Sequence, residues 1–399
     1  MHTRQLILVS VLAGLHLAAA AAPEVQPARD DEVLEVLTVV TRNRPQNPAP
    51  NQAPTARAAD PGAVALQARQ DIVMARQTGD TRYWGRAQAL LTPWWDRADA
   101  PTDLAVLQAT VQQGRHEFEA ARGVLTAALQ RTPGHAQGWL NLAALERLSG
   151  RYAESLRACD AVARAGQSLY ATACRLETQS LGGAHAMASQ ALRSLIAQAG
   201  DAGQRSWLLS LQAENLERWG HDGDAAQAYQ SSLALQPDLY TAIAYSDLLL
   251  RTGQTAQAQA LLAPLPETDA VLLRRATAWQ RLGDPQWKAA RAELNTRNTE
   301  LLRRGDDPFL HGRELALAAL WLDGDAQGAL ALARKNLLLQ REPLDWWVAV
   351  QSAQRAKDAE ALREITLAIQ AVGLLDNRLA PLPATASAPR SNKQPQVKP

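Results

Sequence analysis

Histidine is the side chain best suited to moving protons or holding metal near neutral pH, and the 399-residue chain has seven. They stand at positions 2, 16, 116, 135, 185, 221 and 311, and no pair forms the His-Glu-x-x-His pattern that puts two ligands on one helical turn. The sequence also lacks a Gly-x-Ser-x-Gly elbow, a Ser-x-x-Lys pair, a glycine-rich phosphate cradle and a dinucleotide fingerprint. His221, Asp222 and Asp224 cluster within one turn. That cluster reads as ordinary turn composition, with a cation site as the sharper alternative. Glu214 and Glu217 lie one helical turn apart, as an acid–base pair would. The plainer expectation is surface ion pairs with Arg218 or Arg205. These residue types and spacings point away from an enzyme, and they imply no cofactor and no metal centre.

Composition narrows the classes further. Lys+Arg is 41 against Asp+Glu 40, and only five of the bases are lysine, so no global field favours nucleic acid. Hydrophobic residues make up 47%, enough for a large core, whereas aromatics are only 5%. Eleven of those aromatics are tryptophan, which suggests fixed packing positions for a few large rings. Two cysteines build neither a disulfide-rich scaffold nor a four-cysteine zinc site.

Residues 1–22 read as a cleaved secretory signal. Arg4 supplies the basic start, Leu6 to Leu17 the apolar stretch, and Ala18 to Ala22 the small residues before cleavage near Pro23. The apolar run is shorter than the ~20 residues of a spanning helix, which argues against an uncleaved anchor. The expected location is therefore the periplasm or the medium, with no transmembrane segment in the mature chain. Residues 23–62 carry prolines at 23, 27, 45, 48, 50, 54 and 61 and are expected to be a disordered linker. One apolar island at 31–41 interrupts it, either a loosely docked helix or a strand that adds to a partner. Residues 377–399 hold five prolines and the bases Arg378, Arg390, Lys393 and Lys398 with no acid, the composition of a disordered basic tail.

Positions 63–376 repeat. In the unit from Ala136 to Gln167, Trp139, Leu142, Ala143 and Leu145 give one helix an apolar face. Gly150 ends that helix, and Tyr152, Ser155, Leu156, Cys159 and Val162 line one face of a second. Turn glycines recur at 114, 150, 182, 220, 253, 283 and 324, and small residues recur at Ala121, Ala225 and Ala329. A helix stretched from Pro285 to about Arg304 explains the longest step, and Trp346–Trp347 opens a last unit without a turn glycine. This pattern resembles the tetratricopeptide repeat (TPR), down to an asparagine beside the first aromatic, Asn141. The resemblance implies an all-α, right-handed solenoid of eight or nine stacked hairpins. Stacking is what buries the two-sided apolar stripe that one hairpin leaves exposed.

The same register puts Cys159 on a second helix and Cys174 on the following first helix, facing each other. A disulfide is expected there in an oxidising compartment, with two separate buried thiols as the alternative. The resemblance further implies that the first helices line a concave groove for an extended protein or peptide partner. Candidate groove residues are Gln137, Leu140, Asn141, Arg147, Trp207, Glu214, Arg218, Tyr240, Asp247, Arg251, Arg274 and Arg281. Arg147, Arg218, Arg251 and Arg281 form either a ladder reading a partner's carboxylates and carbonyls, or bases placed against helix C-termini. Trp346 and Trp347 are groove anchors, or one core and one exposed ring. The family's paired carboxylate-clamp bases are missing. The expected function is a non-catalytic interaction scaffold or assembly adaptor. The alternatives are an accessory subunit of an envelope polymer-processing or export system, and a glycan or solute binder.

Overall fold

The computed structural model describes residues 60–303 and 308–379. The signal, nearly all of the Pro-rich segment with its 31–41 island, and the C-terminal tail from residue 380 lie outside the described residues. Eighteen α-helices occur in the described part, and they pair into nine hairpins. These are α1 (Pro61–Thr78) with α2 (Arg82–Leu91), α3 (Thr102–Gly114) with α4 (Phe118–Arg131), and α5 (Ala136–Leu148) with α6 (Tyr152–Arg164). Next come α7 (Ser168–Leu181) with α8 (His185–Gln198), α9 (Ala202–Trp219) with α10 (Asp222–Leu235), and α11 (Leu239–Arg251) with α12 (Thr255–Leu262). The last three are α13 (Asp269–Leu282) with α14 (Gln286–Arg303), α15 (Gly312–Ala318) with α16 (Ala326–Leu339), and α17 (Pro343–Ala356) with α18 (Ala359–Val372). A π-helical turn, Ala319–Asp323, prolongs α15.

Alanines set the spacing. Ala121, Ala225 and Ala329 are fully buried, so neighbouring helices approach without a large side chain between them. Most hydrophobic clusters join one hairpin to the next: Val106 and Ala109 of α3 pack with Phe118, Leu125 and Leu129 of α4 and with Leu145 of α5. No hairpin is buried by itself. The turn after the first helix demands positive φ, which Gly220 meets at 85°. In the last repeat Lys357 takes that place at 57°, so the turn persists although its glycine is gone.

The superhelix is wound tightly enough for the C-termini of α1, α3 and α5 to meet the repeat six places on. Gly79, after α1, faces Thr268 before α13. His116, after α3, stacks edge-on against His311 before α15, centroids 5.8 Å apart. The carbonyl of Leu148, ending α5, accepts from the Arg341 amide before α17 at 2.7 Å. Beyond α18 there is no further repeat in the described residues, and the chain itself continues the seam. The Leu375 amide donates to the Leu181 carbonyl at 2.8 Å, and the Asn377 side chain donates to the Trp219 carbonyl at 2.6 Å. Helix C-termini leave carbonyls without intrahelical partners, and this seam supplies donors to three of them.

Two boundaries differ from the sequence reading. Asp60 caps α1, accepting from the Gly62 amide at 3.1 Å, and Pro61 occupies the first turn, where its missing N–H costs nothing. At the other end Asn377–Leu379 form a 3-10 turn packed on α9 and α17 rather than the start of a tail. Arg378 is the reason: a basic side chain reads as tail composition until Glu217 and Asp376 are found around it.

Cys159 on α6 and Cys174 on α7 are joined, with Cα atoms 5.6 Å apart. Unfolded, unreduced protein is expected to show no titratable thiol, and two after reduction. Two thiols before reduction would show that the sulfurs are not bridged.

Candidate functional site

The first helices α5, α7, α9, α11 and α13 turn one face to the interior, where two adjoining cavities of about 560 and 290 Å³ open. The larger lies along the N-terminal halves of these helices, between Gln137, Tyr170, Trp207 and Tyr240. The smaller lies along their C-terminal halves and is bounded by Arg313, the start of α17 at Glu342–Leu344, and Arg378. Both share Ala144, Arg147, Glu177, Glu214 and Tyr240, so they form one continuous groove.

Aromatic groups dominate the outer part. Tyr170 and Trp207 lie 5.6 Å apart between centroids, and Tyr240 stands free in the groove at 60% exposure. Polar groups near them are already engaged: the Gln137 amide donates to Asn141 at 2.8 Å, and Asn141 donates to the Thr110 hydroxyl at 2.9 Å.

Deeper in, one interior position of successive first helices carries Ala144, Glu177, Glu214 and Asp247, a row of three carboxylates. Each carboxylate has an arginine beside it. Arg147 meets Glu177 at 2.8 Å, Arg218 meets Glu214 at 3.5 Å, and Arg274 meets Asp247 at 2.7 Å. Exposure separates the two charges: the acid side chains keep 20%, 18% and 16%, the arginines 15%, 4% and 2%. For the inner two pairs the arginine is more buried than its carboxylate, so the acid is the member that faces the groove. Burial pushes Glu214 up to about 7 against the partial compensation of Arg218, and it also raises Asp247. The Glu214 carboxylate raises the Tyr240 phenol beside it well above its ordinary value.

Helical hairpins stacked through small residues, with one face of α5, α7, α9, α11 and α13 lining a groove, decide the fold. The chain is an all-α solenoid of stacked helical hairpins. No family model matches the sequence, and no curated protein matches it. Solved structures with a similar fold include a Rap protein complexed with competence and sporulation factor, at TM-score 0.46 and 9% identity, over 77% of this chain and 84% of that one. A tetratricopeptide repeat protein from Parabacteroides merdae gives 0.37 and 12%, over 63% of this chain and 98% of that one. The Cut9–Hcn1 hetero-tetramer of APC/C gives 0.38 and 13%, over 78% and 74%.

Within this solenoid Gln137, Leu140, Asn141, Arg147, Trp207, Glu214, Tyr240 and Asp247 all line the groove. The arginine ladder does not form. Arg218 is 3% exposed and donates to the Ser180 hydroxyl at 2.8 Å. Arg251 is held by Asp222 and Glu217, and Arg281 donates to the Leu250 carbonyl at the end of α11. Arg274 is 1% exposed, so it borders the smaller cavity mainly as the counterion of Asp247. Arg218, Arg251 and Arg281 sit in the last turns of their helices, where they meet hydroxyl, carboxylate and carbonyl oxygens of the neighbouring repeat.

Glu217 is likewise no surface residue: it is buried and takes Arg251, Arg378 and the Tyr229 hydroxyl. Asp222, of the His221 cluster, is engaged by Arg251. Trp346 is core, its indole donating to the Arg341 carbonyl, and Trp347 packs edge-on against Trp321, so neither anchors a ligand. The sequence reading passed over Tyr170 and Glu177 because it did not carry the register onto α7. Counting one repeat on from Gln137 and Ala144 reaches both.

Proposed function

We propose that this chain is a non-catalytic interaction scaffold that holds an extended polypeptide segment in the groove, with a preference for basic segments. The observation that carries this reading is the acidic row, whose inner arginines are more buried than their carboxylates. An extended backbone laid across α5 to α11 would meet Tyr170, Trp207 and Tyr240 first, and its cationic side chains would then reach Glu177 and Glu214. Aromatic walls supply contact area at low entropic cost, and the carboxylates supply register and charge selection. The reading also puts the protein outside the cytoplasm, in the periplasm or secreted. That part rests on the signal expected in residues 1–22 and on the Cys159–Cys174 bridge, which suits an oxidising compartment.

A photoreactive benzoylphenylalanine at position 240 of the full chain tests the reading, with position 338 on α16, 79% exposed, as control. The position-240 chain is expected to give discrete polypeptide adducts that fall severalfold with Glu177→Gln and Glu214→Gln. Adducts equal at both positions, or insensitive to the two substitutions, would remove the groove from the function. A glycan is the second reading, favoured by the Tyr170–Trp207 pair beside the Gln137 and Asn141 amides. Loss of the adducts on adding soluble envelope polysaccharide, but not on adding basic peptide, would select it.

A further inference from the structure

The chain's last residues are basic, and the groove carries carboxylates. Arg378 comes from the C-terminal segment, yet its side chain lies in the smaller cavity and reaches Glu217 on α9 at 2.9 Å. A base from beyond the last repeat has thus docked on a first-helix carboxylate. The next carboxylates along the groove are Glu214 and Glu177, each half-buried with one arginine beside it. Leu379, where the described chain ends, packs in the 3-10 turn between α9 and α17, two helices that border the smaller cavity. Twenty residues follow, 380–399, with Arg390, Lys393 and Lys398 and no acid.

We propose that residues 380–399 are the resident occupant of the groove, their bases seated along the carboxylates of Glu177 and Glu214. This rests on the groove reading above and adds an intramolecular competitor that an incoming partner must displace. Reach is sufficient. Twenty residues can reach at most about 60–70 Å, at ~3.3 Å per residue. Five packed helices at 8–10 Å spacing span about 40 Å. Tethering helps as well: a segment joined to its site acts at an effective concentration of about a millimolar, so weak contacts suffice for substantial occupancy. A partner then enters only if its own segment outcompetes this local concentration.

Zero-length carbodiimide coupling of the full chain, which joins amines to carboxylates in contact, tests the proposal. The chain has five lysines, at 288, 335, 357, 393 and 398, so amide links from the last two are readily assigned by mass spectrometry. Monomeric product is expected to carry links from Lys393 or Lys398 to Glu177 or Glu214. Arg390→Glu, which alters neither partner of any link, is expected to lower their yield severalfold, as is 0.5 M salt. Absence of such links, equal linking to outer-face acids such as Glu154 and Asp160, or no effect of Arg390→Glu would each overturn the proposal. Its failure is separable from failure of the groove reading. Partner adducts at position 240 that depend on Glu177 and Glu214, together with no tail links, would remove the tail and keep the groove.

Discussion

Replacing Arg274 with methionine is expected to destabilise the solenoid by roughly 3–5 kcal/mol, the scale for a buried ion pair that loses one partner. The guanidinium lies between α11 and α13 and binds Asp247 through two parallel bonds of 2.7 Å, with a third to the Ala270 carbonyl at 3.0 Å. Methionine keeps most of the volume but leaves Asp247 as a desolvated carboxylate without its counterion. Burial already raises Asp247 in the native protein, and losing Arg274 raises it further, so lower pH relieves the variant by protonating the acid. Urea unfolding at pH 7.5 should therefore show a larger loss than unfolding at pH 5. Adding Asp247→Leu should recover much of the loss, because replacing both charges by apolar groups removes the desolvation cost. A loss below about 0.5 kcal/mol would put the pair in the class of exposed salt bridges. A stable variant with weakened segment binding would return Arg274 to the list of ligand contacts.

That outcome also bears on how far a sequence can be read. The repeat was legible because its signals are local: turn glycines, and alanines such as Ala121, Ala225 and Ala329 at close contacts. Trp207, Glu214, Tyr240 and Asp247 followed from counting along first helices, and the same count would have reached Tyr170 and Glu177. The arginines misled because residue type does not say whether a base meets solvent or a carboxylate. The acids that decide it for Arg251 and Arg274 lie 27 to 34 residues away, in the adjacent repeat. For Arg378 and Glu217 the separation is 161 residues. A seam that joins each of the first three repeats to the sixth one on leaves no trace in a 34-residue period. Composition marked Asn377 and Arg378 as tail for the same reason: the donors and acceptors that fix them belong to distant helix ends.

Glu214→Gln is expected to stabilise the protein at pH 8 and to leave it unchanged at pH 4.5. The carboxyl has an ordinary value of 4.5 and is held near 7 in the folded chain by burial, with the attraction of Arg218 already included in that balance. A group that binds its proton more tightly when folded contributes most to stability below about pH 4.5. The contribution falls as pH rises towards 7, and is constant above. At 1.36 kcal/mol per pKa unit the full difference is about 3 kcal/mol, which the native protein forgoes at pH 8 and the glutamine variant regains. Paired urea titrations across pH 4.5–8 check it. A difference between the two proteins that does not change with pH would show that Glu214 titrates normally. The native cost has a use if the groove takes cations. A lysine or arginine side chain seated at Glu214 favours the ionised acid and expels its proton, so affinity for a basic segment should rise from pH 6 to pH 8. The glutamine variant should lose that rise while keeping whatever affinity the aromatic walls supply. An ion-pairing site poised near neutrality is therefore less stable empty than filled, and occupancy by a basic segment, whether a partner's or residues 380–399, would offset the difference.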